Sequence, residues 1–141
     1  MSNILYVIDG FLSSQDKANI TIELIEQLKK IDRANNIRKR IAKKYSKEIS
    51  IDKKMPFDSG CSYHFYWILV KNRERFRKEL AKKGIESGIH YKPIHTFSFY
   101  KSKLKLPITE KVGMEIVTLP THPNLTDDDV EKVIKVVNKL L

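Results

Sequence analysis

The stretch GIHYKPIHTFSFY, Gly88 to Tyr100, brings two histidines, two tyrosines and a proline into thirteen residues. His90 and His95, five apart, could ligate a metal, shuttle protons or hold an extended ligand. Zinc wants four ligands, usually with cysteine among them, and only Cys61, His64 and His122 could be recruited, from distant positions. On a strand-to-loop segment, residues five apart need not point to the same side. No metal site is therefore expected. Two imidazoles, the Tyr91 phenol and neighbouring Lys92 suit a polar or phosphorylated ligand held from one side. The competing reading is a surface loop with Phe97 and Phe99 tucked into the core.

The other candidates are thinner. A catalytic thiolate at Cys61 would need His64 as base and an oriented third group, whereas Cys61 at the opening of a strand reads as packing. The run Asp127–Asp128–Asp129 lacks the spacing and the glycine of a calcium loop. It reads better as the first turn of a helix, with Thr126 and Asp129 forming a capping box. His122, before Pro123 in a turn, reads as structural or solvent-facing. The five glycines form no phosphate-cradling loop. No catalytic, cofactor-binding or metal residue is assigned within the chain.

The elements that must position Gly88–Tyr100 follow from the hydrophobic pattern. ILYVI (4–8) reads as a buried strand and Asp9–Gly10 as a turn. SSQD (13–16) offers N-caps for a long helix over 17–48. Its apolar positions Leu24, Leu28, Ile31, Ala34, Ile37, Ile41 and Tyr45 form one helical stripe. A helix that long should pack on something beyond its own core, most simply a second copy or another domain.

YHFYWILV (63–70) reads as a central strand, and Asn72 caps a helix running to Lys83, with Phe76 and Leu80 inward and Gly84 at its end. IESGIHY (85–91) reads as a second strand. Pro107 opens a short helix, and IVTLP (116–120) is a third strand. Val130, Val133, Ile134, Val137 and Leu140 make the buried stripe of a last helix. The expected fold is α+β: a small, antiparallel three-stranded sheet with helices packed on one face and a long N-terminal helix. The expected division is a strand and turn over 1–16, the long helix over 17–48, and a small α+β domain over 49–141.

Composition bounds the function. The chain has 141 residues, 31% charged and 41% hydrophobic, with a formal net charge of +10, which fits a folded domain rather than a disordered one. No apolar run approaches the ~20 residues of a membrane span. The first residues carry no basic segment ahead of an apolar one, so a secretory signal is not expected. The single cysteine fits a reducing compartment, and a cytoplasmic location is expected. Between Lys29 and Lys54 stand eleven Lys/Arg against three acids. Such a stripe could attract nucleic acid, anionic lipid or a nucleotide-linked substrate, or be a solvated helix face.

The segment from Ala81 onward, AKKGIESGIHYKPIHTFSFYKSKLKLPITEKVGMEIVTLPTHPNLTDDDVEKVIKVVNKLL, resembles the C-terminal end of the DegT/DnrJ/StrS family of sugar aminotransferases. The landmarks are Gly84-Ile85, Gly88-Ile89-His90-Tyr91, His95, Leu106-Pro107, Leu119-Pro120, His122-Pro123 and Leu125-Thr126-Asp127. The likeness extends back to about residue 20, with the long helix similar to the family's inter-domain helix.

The resemblance implies a small domain of the aspartate-aminotransferase fold from a pyridoxal-phosphate transaminase. Such an enzyme aminates a nucleotide-linked sugar, takes glutamate as donor and acts as a dimer with its site at the subunit interface. It implies that His90 and Tyr91 line the mouth of the sugar site, with His95 beside them. It also implies that the cofactor lysine and its partner aspartate belong to a large domain preceding these residues. At the place of the family's GYNYRM segment this sequence has GFLSSQD, Gly10 to Asp16, without the Asn and Arg that reach toward a neighbouring cofactor phosphate.

The expectation is a stand-alone small domain without catalysis of its own, dimerising or binding a partner. Pyridoxal phosphate is expected only if a large domain complements it. The alternatives are the C-terminal half of a split aminotransferase and a basic nucleic-acid-binding module.

Overall fold

A computed structural model describes residues 13–100 and 103–141. Helix α1 is Ser14–Glu48, starting three residues earlier than the pattern suggested. Its start is closed by a capping box. The Ser13 hydroxyl accepts the Asp16 N–H at 3.2 Å, and the Asp16 carboxylate accepts the Ser13 N–H at 3.2 Å. The strand expected at 4–8 and the turn at 9–10 lie outside the described residues.

The chain divides into two compact units within α1, Met1–Ala34 and Asn35–Leu141. In the first unit the apolar side chains Leu24, Leu28 and Ile31 are exposed. Among the described residues no helix is long and apolar enough to cross a membrane.

In the second unit the sequence builds a sheet and its cover. Strand β1, Tyr66–Leu69, alternates buried and half-buried residues, the signature of a strand with one core-facing side. It pairs antiparallel with β2, Ile116–Leu119, in the register Tyr66↔Leu119 and Ile68↔Val117. Those four residues share one face and meet the helices. Helix α2 is Arg73–Lys82, α3 is Pro107–Glu115 and α4 is Asp127–Leu140. One cluster joins Ile41, Ala42 and Tyr45 of α1, Phe76 and Leu80 of α2, and Val130, Val133, Ile134 and Val137 of α4 to the sheet face.

The α+β class holds, but the sheet among the described residues has two strands rather than three. The segment after α2 meets β2 through a single bridge, Gly88↔Thr118, and Lys54 meets Ile68 likewise. The reason is local. The Ile85 N–H is already taken by the Leu80 carbonyl at the end of α2, and past Gly88 the His90 side chain turns back onto Thr118. Gly88 is the residue that pairs, exchanging both backbone hydrogen bonds with Thr118.

The first strand is also shorter than expected. Tyr63 sits at φ +50°, outside the extended region, so pairing starts only at Tyr66. Its ring is buried and stacked on Phe57 at 5.7 Å, and its hydroxyl accepts the Asp58 N–H and donates to the Pro56 carbonyl. Cys61 consequently lies in a loop before the strand.

Candidate functional site

His90 is held from three sides. Its Nδ1 lies 2.8 Å from the Thr118 hydroxyl, its ring stacks on Phe65 at 5.4 Å and 9°, and its Cε1 crowds Gly88. A Cβ on Gly88 would lie 2.6 Å from that carbon and 2.6 Å from Thr118 Oγ1, so only glycine leaves room for the ring. Thr118 is itself buried and paired through its backbone to Gly88 in both directions. Tyr91 stands edge-on to both His90, at 5.0 Å, and Phe65, at 6.4 Å. With Nδ1 engaged, Nε2 is the ring nitrogen left for a ligand.

His95 is placed differently. Its Nε2 lies 3.1 Å from a carboxylate oxygen of Glu110 on α3. That oxygen also accepts the Leu106 N–H at 2.9 Å. The Glu110 carboxyl is accordingly held below the usual carboxylate range, first by the Leu106 N–H and then by His95. The structure therefore brings His90 and Tyr91 together and sends His95 to a separate partner.

Phe97 and Phe99 are not in the core. Phe99 is 86% exposed and Phe97 43%, because Ile94–Thr96 and Ser98–Tyr100 form two short 3₁₀ turns with no buried residue. Lys92 lies over the Phe97 ring at 5.2 Å.

An open cleft of about 590 Å³ runs beside His90, with His64, Phe65, Thr118, His122 and Lys132 on its walls. Sequence reasoning missed Phe65 and Thr118 as partners of His90. The one available signal was period two, which puts Phe65, just before β1, on the same side as Trp67, opposite the core-facing Tyr66 and Ile68. Among the described residues no group of three or more His, Cys, Asp or Glu is placed to hold a metal ion. Asp129 serves as the capping-box acid of α4, taking the Thr126 hydroxyl and N–H.

The basic stripe is partly neutralised within the chain. Lys44 pairs with Glu131 at 2.9 Å and Arg40 with Asp127 at 3.3 Å. Lys29 pairs with Glu26 at 2.6 Å.

The DegT/DnrJ/EryC1/StrS aminotransferase family matches residues 20–138. This chain belongs to that family. An uncharacterized protein of Methanocaldococcus jannaschii is 32% identical over 133 residues, covering 83% of this chain and 34% of that protein. The dTDP-3-amino-3,6-dideoxy-alpha-D-galactopyranose transaminase of Aneurinibacillus thermoaerophilus is 32% identical over 141 residues, covering 92% of this chain and 38% of that enzyme. The aminotransferase TlmJ from Streptoalloteichus hindustanus superposes with a TM-score of 0.74 at 30% identity, covering 81% of this chain and 33% of TlmJ. The chain thus spans about a third of the length of the proteins it matches, and the match includes the whole segment that holds His90.

Proposed function

We propose that this chain is the sugar-facing small domain of a family aminotransferase, with the small α+β domain over 49–141 following the long helix α1, and that it has no catalysis of its own. The observation that carries this reading is the seating of His90 against Thr118, Phe65 and Gly88, with Tyr91 exposed beside it. An imidazole fixed through Nδ1 offers Nε2 in one orientation, which suits hydrogen bonding to a hydroxyl or phosphate of a sugar nucleotide. A relative named as a transaminase of a dTDP-linked sugar supports that ligand class. In this reading His90 and Tyr91 meet the ligand, with His95 in the same segment, and the protein works in the cytoplasm.

Pyridoxal phosphate fits the described residues poorly. It needs an amine poised to lose its proton, a carboxylate for the ring nitrogen and a cradle for the phosphate. Lys132 is the cleft's lysine, and of the cleft's two carboxylates, Glu86 and Asp129, the latter is already engaged by Thr126. Lys44 is shifted the wrong way, held above its usual range by Glu131. The cofactor would be supplied with a large domain.

Incubation with pyridoxal phosphate followed by borohydride reduction should leave no stoichiometric lysyl adduct. Titration with dTDP-glucose should shift the His90 and Tyr91 resonances. A stoichiometric adduct with transamination would overturn the first half of the reading, and silence at both residues the second.

One observation favours a second reading, the C-terminal half of a two-polypeptide aminotransferase. Between Tyr91 and Met114 the surface shows Ile94, Phe99, Leu104 and Ile108, the last 80% exposed. Apolar surface on that scale usually meets a partner. Co-expression with a separate large-domain chain should then yield a yellow heteromer. Nucleic-acid binding is the weaker alternative, since phosphate contacts need cations that Glu26, Asp127 and Glu131 here hold in part.

A further inference from the structure

The segment after Tyr91 is joined to α3 at two points. The Pro93 ring rests on Gly113 so closely that a Cβ there would lie 2.4 Å from Pro93 Cδ and Cγ. One turn earlier on the same helix, Glu110 takes His95 at 3.1 Å and the Leu106 N–H at 2.9 Å. Positions three apart share a helix face, so both contacts seat the loop on one side of α3. Arg73 donates to the Gly113 carbonyl and ties that side of α3 to the start of α2.

The His90 end is fastened separately, to Thr118 and Phe65. The His95 side chain is only 9% exposed, whereas Tyr91 is 69% exposed. A side chain so enclosed, with its Nε2 on a carboxylate, has little surface to give a ligand.

We propose that His95 is a positioning residue. Acting through Glu110, it clasps the loop from Pro93 to Phe97 onto α3 and sets where Tyr91 meets a ligand beside His90. The assignment of a ligand to Tyr91 and His90 rests on the reading above; the clasp itself does not. Lys105 is the further charged group acting on Glu110.

The test uses the full chain and amide hydrogen exchange followed by NMR. In His95→Leu, which keeps bulk but removes the donor, the Leu106 and Phe97 amides should exchange about tenfold faster, the size expected for losing a hydrogen bond to a charged group. His95→Gln keeps an N–H donor and should stay near wild type. Glu110→Gln, at a side chain 40% exposed, should also accelerate Leu106. The Tyr91 ring resonances should move in His95→Leu and stay near wild type in His95→Gln, while the His90–Thr118 hydrogen bond persists in all three.

Equal behaviour of His95→Leu and His95→Gln, or unchanged Leu106 exchange throughout, would overturn the clasp. In a second arm dTDP-glucose is titrated into the wild type. Shifts at His90 and Tyr91 that leave the His95 ring still support positioning. A His95 shift as large as that of His90 would make His95 a ligand contact and overturn the assignment. Absence of any shift would count against the sugar-facing reading alone, with the clasp decided by exchange.

Discussion

Gly88 shows how one missing side chain can set a ligand-facing geometry. The His90 ring fills the place a Cβ would take, and Thr118 closes the other side. Gly88→Ala should therefore cost about 1–3 kcal/mol, as overpacking does in tight sites. It should also displace the His90 ring, read from urea unfolding and the ring resonances together. A stable variant with His90 unmoved would mean the ring is not seated as described. Thr118→Val keeps the shape but removes the Nδ1 partner, and should cost about 1 kcal/mol by the same unfolding measurement. The residue types at 88, 90 and 91 were readable from the sequence. Their arrangement was not, because the decisive partner of His90 stands twenty-eight positions away.

At the scale of elements, what was legible was local. Asn72 caps α2 by accepting the Arg75 N–H, Gly84 follows α2 at φ +71°, and Thr126 and Asp129 close a capping box on α4. Each device satisfies end groups of its own helix with residues at most a few positions away, so spacing alone reveals it. Thr126→Ala should lower stability by about 1 kcal/mol, the usual loss of an N-cap, measured as a shift in the unfolding midpoint; no shift would mean the box is idle.

The sheet was less legible, because strand length depends on what the neighbouring chain has left to bond. Tyr63, Phe65 and Trp67 alternate as a strand should, yet Tyr63 leaves the extended region to bury its ring and bind Pro56 and Asp58. The loop aromatics misled for a related reason. Phe97 and Phe99 have core-like side chains, but two short turns keep them out of the core.

Across the whole molecule, acid should weaken the fold before base does. Glu110, Asp129 and Glu131 are held below their usual values of 4.5, 3.8 and 4.5, chiefly by the Leu106 N–H, the Thr126 hydroxyl and Lys44 respectively. A carboxyl depressed in the folded state contributes stability above its unfolded value, and that contribution is lost as pH falls through the folded one. Urea midpoints should therefore be flat near neutrality and decline below about pH 4.5, with Glu131→Gln flattening part of the decline. At the other limb, burial pushes Tyr66 up to about 12. Its contribution is complete below 10.0 and is lost as pH rises from 10.0 through about 12.

The remaining question at this scale is association. Leu24, Leu28 and Ile31 are 58%, 57% and 48% exposed at spacings of four and three, a helical stripe with nothing covering it among the described residues. Fully burying one such side chain is worth about 1.5–3 kcal/mol, and a dimer would bury the stripe of both copies against the cost of association. Wild-type chain should sediment as a concentration-dependent oligomer at micromolar concentration. Leu24→Glu with Leu28→Glu should be monomeric, since each would bury an unpaired charge. Its folded core should be unchanged, because these positions belong to the unit ending at Ala34 while the core cluster begins at Ile41. A wild type that stays monomeric across that range would leave the stripe to a different protein.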